Sequence, residues 1–335
     1  MKVLLYFEGK KIISKSGIGR AMKHQIAALT SQNIEYTLSA KDDFDILHIN
    51  TVGITSFHMI KKARKNGKKI IYHAHSTEED FRNSFMFSNQ IAPFFKKHIC
   101  YLYKKADLII TPTPYSKILL ENYGINVPIY AISNGINLNK FNYNENKIKK
   151  FREYFHLKEE DKVVISVGLF FERKGILDFI EVAKKLPEYK FIWFGHVPLY
   201  SIPKKIRNIV KKDHPSNVIF PGYVSGDVIE GAYCGANAFF FPSKEETEGI
   251  VVLEALASYQ KVIIRDIPVF EPWLKNNVNC YKGKTVEDFT YLVKNAVEEK
   301  LPDVRINGRK TAEERSIKEI GKRLREVYEE ALRNS

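Results

Sequence analysis

Cysteine is scarce in this chain of 335 residues: three, at Cys100, Cys234 and Cys280. None falls in a C-x-x-C or Cys/His ligand spacing, which excludes a disulfide framework and a structural zinc site and fits a reducing compartment. Long apolar runs are missing as well. Stretches such as Val163–Ile165 and Leu169–Phe171 are a few residues long, against the roughly 20 that a spanning helix needs. Glu8 interrupts the opening MKVLLYFEGKK before a signal-peptide apolar region of about 7–15 residues can form. The expectation is a protein that neither spans a membrane nor is secreted. Acidic residues are the third shortage: 53 Lys and Arg stand against 39 Asp and Glu, a net charge of +14. Residues 1–150 hold 23 basic and 11 acidic residues, or +12, whereas residues 151–335 hold 30 against 28, or +2. A basic half implies an anionic partner, whether nucleic acid, membrane surface or acidic metabolite.

What is present is an alternation. Short β-branched or aromatic runs at Lys2–Phe7, Ile46–Asn50, Lys69–His73, Leu108–Thr111 and Ile129–Ile132 are followed by a second series. That series comprises Lys162–Val167, Tyr189–Phe194, Val218–Pro221, Ala238–Phe241 and Lys261–Arg265. Helical patterns separate them, among them Gly19–Thr30, Phe94–Lys105, Tyr115–Tyr123, Ile176–Leu186, Gly249–Ser258 and Val286–Lys300. Strands alternating with helices mean βαβ units and parallel sheets covered on both faces. The series breaks in the polar, charged stretch Phe141–Asp161, read as a linker and the opening of a second domain. The expected layout is an α/β protein with doubly wound domains over residues 1–150 and 151–315, facing a central cleft, and a C-terminal helix in residues 316–335. Loops at the carboxyl ends of the strands should line that cleft.

Three segments carry chemistry. S-G-I-G-R at Ser16–Arg20 opens a helix after the first strand, where Gly17 and Gly19 let backbone approach a ligand and helix-start amides favour phosphate. Read alone, it is equally a plain βα turn, and no acidic residue follows a second strand in the dinucleotide-binding manner. V-G-L-F-F-E-R-K-G at Val167–Gly175 sets a forked donor, Arg173, beside a point charge, Lys174, where a pyrophosphate could lie; a solvated basic turn is the plainer alternative. P-S-K-E-E-T-E-G-I-V-V-L-E-A-L-A at Pro242–Ala257 runs from an apolar strand through an acidic turn into a helix, with Glu246 in the turn and Glu254 eight residues on. Carboxylates accept hydrogen bonds from sugar hydroxyls, and a helix start beside them can hold phosphate. Glu245 and Glu248 are read as dipole or surface charges.

This last string resembles the E-x7-E signature of retaining glycosyltransferases of the GT-B fold and family-4 type. I-S-N-G-I-N-L-N-K-F at Ile132–Phe141, the V-G…R-K-G turn and I-F-P-G-Y-V-S at Ile219–Ser225 resemble further segments of that family in order and spacing. H-A-H-S-T-E-E-D-F at His73–Phe81 and T-P-T-P-Y-S-K resemble a narrower group, bacterial synthases that add a second hexose to α-glucosyl-diacylglycerol. The resemblance implies a GT-B enzyme of two Rossmann-like domains, a retaining hexosyltransferase that uses UDP-glucose or UDP-galactose and no cofactor or metal. It implies that Glu246 meets the donor hexose hydroxyls and Glu254 the ribose, with the helix start Gly249, Ile250 and Val251 beside the nucleotide. Arg173 and Lys174 would stabilise the leaving diphosphate, Gly17 and Gly19 would let the first domain approach it, and His75 would hydrogen-bond the sugar near its anomeric carbon. His73 is the rival and is expected to be packed. Where the family often has Arg directly after the Gly of V-G, this chain has Leu169. No D-x-D motif occurs in the loops expected to line the cleft, so cations would take the place of a metal ion in favouring the departing diphosphate.

At about 100° per residue, Phe95, Ile99, Leu102 and Tyr103 share one arc of the helix Phe94–Lys105, and Lys96, Lys97, Lys104 and Lys105 share the other. A basic amphipathic helix with aromatics suits an anionic membrane interface; a core-facing helix with a lysine-rich exterior has the same pattern. The nearby Phe85-Met86-Phe87 cluster, the lysine-rich Lys61–Lys69 and the charge of this half favour the membrane. The expected partners are a UDP-hexose, a glycolipid acceptor and an anionic membrane at its cytoplasmic face. The alternative is the same chemistry on a soluble or polyprenyl-linked acceptor in capsule or wall polymer synthesis. A nucleic-acid-binding protein would leave the Glu246–Glu254 segment without a purpose.

Overall fold

Strands built almost wholly from Val, Ile, Leu and Phe have no polar face to turn to water, so both faces of their sheet must be covered. The computed structural model describes residues 1–9 and 17–333, and its strands are of this kind: all residues of Ile46–Ile49, Leu108–Thr111, Val163–Val167 and Ala238–Phe241 are buried. Ser16, the first residue of the Ser16–Arg20 motif, lies outside the described residues. The chain divides into two compact units, one of Met1–Phe81, Gln90–Asn137 and Arg315–Ser335, the other of Arg82–Asn89 and Leu138–Glu314.

In the first unit, β1 (Lys2–Tyr6), β2 (Glu35–Thr37), β3 (Ile46–Ile49), β4 (Lys69–His73), β5 (Leu108–Thr111) and β6 (Ile129–Ala131) form one sheet in the order β2-β1-β3-β4-β5-β6. Every pairing in it is parallel. The helices are α1 (Gly17–Ser31), α2 (Ile54–Lys65), the short α3 (Glu78–Phe81), α4 (Ser88–Tyr103) and α5 (Pro114–Asn122). The chain leaves β1 for β2 on one side and returns to β3 on the other, so the strand order reverses between β1 and β3. In such sheets ligands bind outside the carboxyl ends at that reversal.

The second unit holds α6 (Glu145–Tyr154), β7 (Val163–Val167), α7 (Ile176–Lys185), β8 (Lys190–Phe194), α8 (Lys204–Lys211), β9 (Val218–Gly222) and α9 (Asp227–Gly235). Then come β10 (Ala238–Phe241), α10 (Ile250–Ala257), β11 (Val262–Arg265), β12 (Tyr281–Gly283), α11 (Val286–Val297) and α12 (Arg305–Glu313). The sheet order is β12-β11-β10-β7-β8-β9, again parallel throughout. Here the reversal falls between β7 and β10. Phe179 packs edge-on against Trp193 at 5.1 Å and stacks on Phe240 at 5.9 Å, fixing α7 against the middle of the sheet.

Two expectations about organisation need correction. The stretch Phe141–Asp161, read as a linker and the opening of a second domain, lies wholly within the second unit and contains α6, which docks on α9. Asn144 caps the helix by accepting from the Lys147 amide, Phe151 is fully buried, and Lys147 pairs with Glu230 at 2.6 Å. Gly231 and Gly235 on α9 let α6 approach, because a Cβ at Gly231 would stand 2.0 Å from the Lys147 carbonyl oxygen. The units accordingly divide after Asn137 and not at 150. The C-terminal helix α13 (Ile317–Arg333) is not a separate element either. Its stripe of Ile320, Leu324, Val327, Tyr328 and Ala331 is buried in the first unit's core, and Ile317 and Ile136 join 315–317 to the chain after β6. Two short edge strands, β2 and β12, have no counterpart among the expected elements.

Candidate active site

The first site residues stand at the strand reversal of the second unit. From β7 the chain passes through Gly168 into a 3-10 turn at Glu172–Lys174, and from β10 it enters the loop Pro242–Gly249. Gly175 closes the first turn in the left-handed region at φ 79°, and a Cβ there would lie 2.2 Å from the Pro242 carbonyl oxygen. Only glycine allows the two loops this contact.

Across it, Lys174 Nζ lies 2.5 Å from Glu246 Oε1, with both side chains nearly excluded from water. Ser243 Oγ donates to the same carboxylate oxygen at 2.7 Å. Arg173 is buried too, 8% exposed. Its Nε donates to Ser84 Oγ at 2.8 Å and its Nη1 to the Glu245 carbonyl oxygen at 3.1 Å, while its own carbonyl accepts from the Lys244 amide at 2.6 Å. Arg173 therefore ties Ser84, of the 82–89 segment in this unit, to the acidic loop, whereas Lys174 brings an ammonium to the carboxylate. The two adjacent cations are not equivalent: one braces, the other faces Glu246.

The loop ends at Gly249, left-handed at φ 88°, and α10 begins with Ile250 and Val251, whose first amides lack intrahelical acceptors. Glu254, one turn further on, is 1% exposed, and the Tyr233 hydroxyl on α9 donates to its Oε2 at 2.5 Å. Glu248 is buried as well, so of the two readings given to it, helix-dipole or surface charge, the surface one does not hold. Tyr233 and Ser243 carry no signal in the sequence: the first is 21 residues from the carboxylate it holds, and serine after proline marks a turn before it marks a site.

In the first unit, Gly17 begins α1 with no atom of the described residues within 4 Å of where a Cβ would stand, and Gly19 is buried two residues on. His75 follows β4, and both it and His73 are buried, so burial does not separate the candidate from its rival. The rings stack at 4.1 Å and 7°, and His48 on β3 continues the stack from His73 at 5.4 Å and 14°. His75 Nε2 is 2.9 Å from Asn50 Oδ1. Burial pushes the His48 and His75 imidazoles down to about 3 and that of His73 well below its ordinary value. All three are neutral at physiological pH.

On α4 the expected apolar arc is not at the surface: Ile99, Leu102 and Tyr103 are fully buried, and Phe95 stacks on Phe81 at 4.1 Å. The reason is ordinary core packing, since the helix covers β4 and β5 with that face. What it presents outward is Ile91, Phe94 (72% exposed) and Tyr101 (52%), with Lys97 and Lys104. Lys96 is engaged, 3.2 Å from Glu78 and over the Tyr123 ring at 4.2 Å, and Lys105 stands over Tyr101 at 4.3 Å. An open groove of about 690 Å³ runs here between Pro93, Lys97, Tyr101, Lys104 and Tyr123. Among the described residues no helix is long and apolar enough to cross a membrane.

Residues 147–316 match the family of glycosyl transferases group 1, and residues 17–140 match Glycosyltransferase Family 4. The chain is 48% identical over 334 residues, 99% of each chain, to the processive diacylglycerol alpha-glucosyltransferase of Acholeplasma laidlawii. It is 23% identical over 273 residues to the alpha-galactosylglucosyldiacylglycerol synthase of Streptococcus pneumoniae, covering 80% of this chain and 73% of that one. Among solved structures, Anabaena Alr3699/HepE in complex with UDP-glucose superimposes with a TM-score of 0.79 at 16% identity, over 98% of this chain and 100% of that one. Sucrose-phosphate synthase from Thermosynechococcus elongatus does so with a TM-score of 0.82 at 14% identity, over the full length of both. These structural likenesses establish the two-domain GT-B fold.

Proposed function

The chain belongs to the glycosyl transferases group 1, and from that premise we propose that it moves a hexose from UDP-glucose or UDP-galactose to α-glucosyl-diacylglycerol. The product is a diglycosyl-diacylglycerol, formed with retention and without a metal ion at the cytoplasmic face of an anionic membrane. The observation that carries the chemistry is the meeting of Lys174 and Glu246 at the carboxyl ends of β7 and β10. An ammonium held in a nearly dry site is preorganised for the negative charge that develops on a departing diphosphate. Support for the lipid acceptor is the 48% identity to a diacylglycerol glucosyltransferase.

The residues take these roles. Lys174 neutralises the diphosphate as the glycosidic bond to it breaks, and Arg173 holds the turn that presents Lys174. Glu246 accepts hydrogen bonds from the hexose hydroxyls, and Glu254 from the ribose. The helix-start amides at Gly249, Ile250 and Val251, with Gly17 and Gly19, receive the nucleotide. His75, kept neutral by burial, hydrogen-bonds the hexose near its anomeric carbon. The acceptor hydroxyl attacks from the face that the diphosphate leaves, and its proton passes to the departing phosphate oxygen. Lys97 and Lys104, flanked by Phe94 and Tyr101, meet the membrane.

A second reading has a specific observation behind it: the relative at 48% identity is a processive diacylglycerol alpha-glucosyltransferase. On that reading this chain also accepts diacylglycerol itself and adds glucose stepwise. Radiolabelled UDP-glucose and UDP-galactose, each supplied with diacylglycerol or α-glucosyl-diacylglycerol in anionic mixed micelles, separate the two. Label entering only the diglycosyl lipid supports the first reading, and a ladder starting from diacylglycerol supports the second. Absence of lipid product from either donor, with UDP still bound, refutes both and leaves a soluble or polyprenyl-linked acceptor.

A further inference from the structure

Six side chains of the first unit form a continuous polar network beside the carboxyl ends of β3 and β4. The Tyr328 hydroxyl on α13 lies 2.6 Å from His48 Nδ1, and His48 Nε2 lies 3.2 Å from His73 Nδ1. Gln25 Nε2, reaching in from α1, is 2.9 Å from the same His73 Nδ1 and 2.7 Å from Asn50 Oδ1. Asn50 Oδ1 also meets His75 Nε2 at 2.9 Å. All six residues are buried, so each contact has to join a donor to an acceptor.

With these amide orientations one proton arrangement gives every contact a donor and an acceptor, with His73 Nδ1 sharing its one lone pair between Gln25 and His48, and with His73 Nε2, Gln25 Oε1 and Asn50 Nδ2 unpartnered among the described residues. Gln25 Nε2 is a donor, so His73 Nδ1 is an acceptor and His48 Nε2 carries a hydrogen. His48 Nδ1 then accepts from Tyr328. Asn50 Oδ1, an acceptor in either state, requires a hydrogen on His75 Nε2. In a neutral imidazole the other nitrogen is then bare, and His75 Nδ1 has no partner among the described residues. Reversing the network would need both amides to turn over together, with His73 Nδ1, His48 Nδ1 and His75 Nδ1 all protonated.

We infer that Asn50, oriented by Gln25, is a positioning residue that holds His75 with its hydrogen on Nε2 and leaves Nδ1 as a hydrogen-bond acceptor for a sugar hydroxyl. The acceptor role rests on the placement of the donor hexose against His75 proposed above; the tautomer does not. The arrangement gives His75 a defined preference. It can take a hydrogen bond from a hydroxyl, but it cannot donate one to a ring or phosphate oxygen. It also gives the C-terminal helix a part in the site, because Tyr328 terminates the network that sets the tautomer.

The test is long-range proton–nitrogen correlation NMR of the full chain with 15N-labelled histidine, with each ring assigned by single His→Gln substitutions. The expected result is a neutral His75 protonated on Nε2, which gives way to a mixture of tautomers in Asn50→Ala. In that variant kcat should fall about tenfold, one hydrogen bond's worth, with the KM for the sugar nucleotide little changed. Asn50→Asp, which keeps the acceptor oxygen, should retain the tautomer signal. A wild-type His75 protonated on Nδ1, or a signal unmoved in Asn50→Ala, overturns the inference. The expected signals with turnover unaffected in both Asn50→Ala and His75→Gln would instead refute the contact between His75 and the donor, and the acceptor role with it. The wild-type spectrum decides the tautomer even where a variant fails to fold.

Discussion

Replacing Lys174 with Met removes the ammonium from Glu246 and from the face of Phe241 and keeps an unbranched stem beside Gly168. The side chains of the pair are 13% and 7% exposed, so water can do little for the carboxylate left behind. Removing one member of a buried ion pair costs about 3–5 kcal/mol. Here Ser243 still donates to Glu246, which puts the expectation at the lower end, about 3 kcal/mol. Glu246→Gln strands the ammonium and should cost a similar amount. The double variant leaves no charge unmatched, so its loss should fall short of the sum by about 2 kcal/mol. The chain provides a convenient probe, because its only tryptophans, Trp193 and Trp273, both belong to the second unit. Urea unfolding followed by tryptophan fluorescence therefore reports the unit that holds the pair. UDP affinity, measured by calorimetry, should separate the two variants. Lys174→Met should weaken it about tenfold to a hundredfold, the worth of one charge-assisted hydrogen bond of about 1.5–3 kcal/mol. Glu246→Gln should leave it equal or tighter, since the ammonium is released from its carboxylate, while turnover drops about a hundredfold or more. Additive stability losses, or UDP affinity unchanged in Lys174→Met, would refute the assignment of the pair to the diphosphate.

Tyr233→Phe deletes the hydrogen bond to Glu254 and leaves that buried carboxylate short of a donor; a loss of about 1–3 kcal/mol and weaker nucleotide binding are expected from the same fluorescence and calorimetric measurements, and a nucleotide affinity equal to wild type would separate Glu254 from the ribose. The three buried histidines predict acid sensitivity of the first unit. Their folded pKa values are depressed by burial, to about 3 for His48 and His75 and in the same direction for His73, so the unfolded chain binds more protons and stability is lost as pH falls from about 6.5. Each contributes about 1.4 kcal/mol per pH unit once the unfolded form is protonated, and His48→Gln should flatten the slope of CD-monitored urea stability between pH 6 and 5 by about that much. An unchanged slope would mean that His48 is charged in the folded state. At the proposed membrane face, removing Lys97 and Lys104 together should lower partition onto anionic vesicles about thirtyfold, at about 1 kcal/mol per cation, whereas Lys96→Ala, whose charge is already matched by Glu78, should do less. Equal effects from the two would move the membrane contact elsewhere.

Where strand sequences are apolar on both faces, the pattern alone dictates parallel pairing, and ten of the expected strands coincide with observed ones to within a residue at either end. Signals weaken where a residue's environment comes from a distant partner. Glu145–Tyr154 is polar in seven of ten positions and falls in a stretch that reads as a linker running into a second domain, yet it is a helix because Gly231 and Gly235 open a place for Ile148 and because Glu230 and Asp227 answer its lysines. The apolar arc of α4 reads equally as core or as membrane surface, since amphipathicity states that a face is covered and not by what. The same limit divides the site residues. Glu246, Lys174 and Arg173 are visible as types in turns, but that Lys174 faces the carboxylate while Arg173 braces the loop follows from which way each side chain leaves one 3-10 turn. In the histidine stack the limit is complete. His75 and His73 differ by two positions in one extended segment, so they share a face, a burial and a suppressed charge. The difference between them lies in Asn50 and Gln25, which come from β3's end and from α1. A reactive group's identity is thus local, while its protonation and aim are set by residues that only the folded sheet brings together.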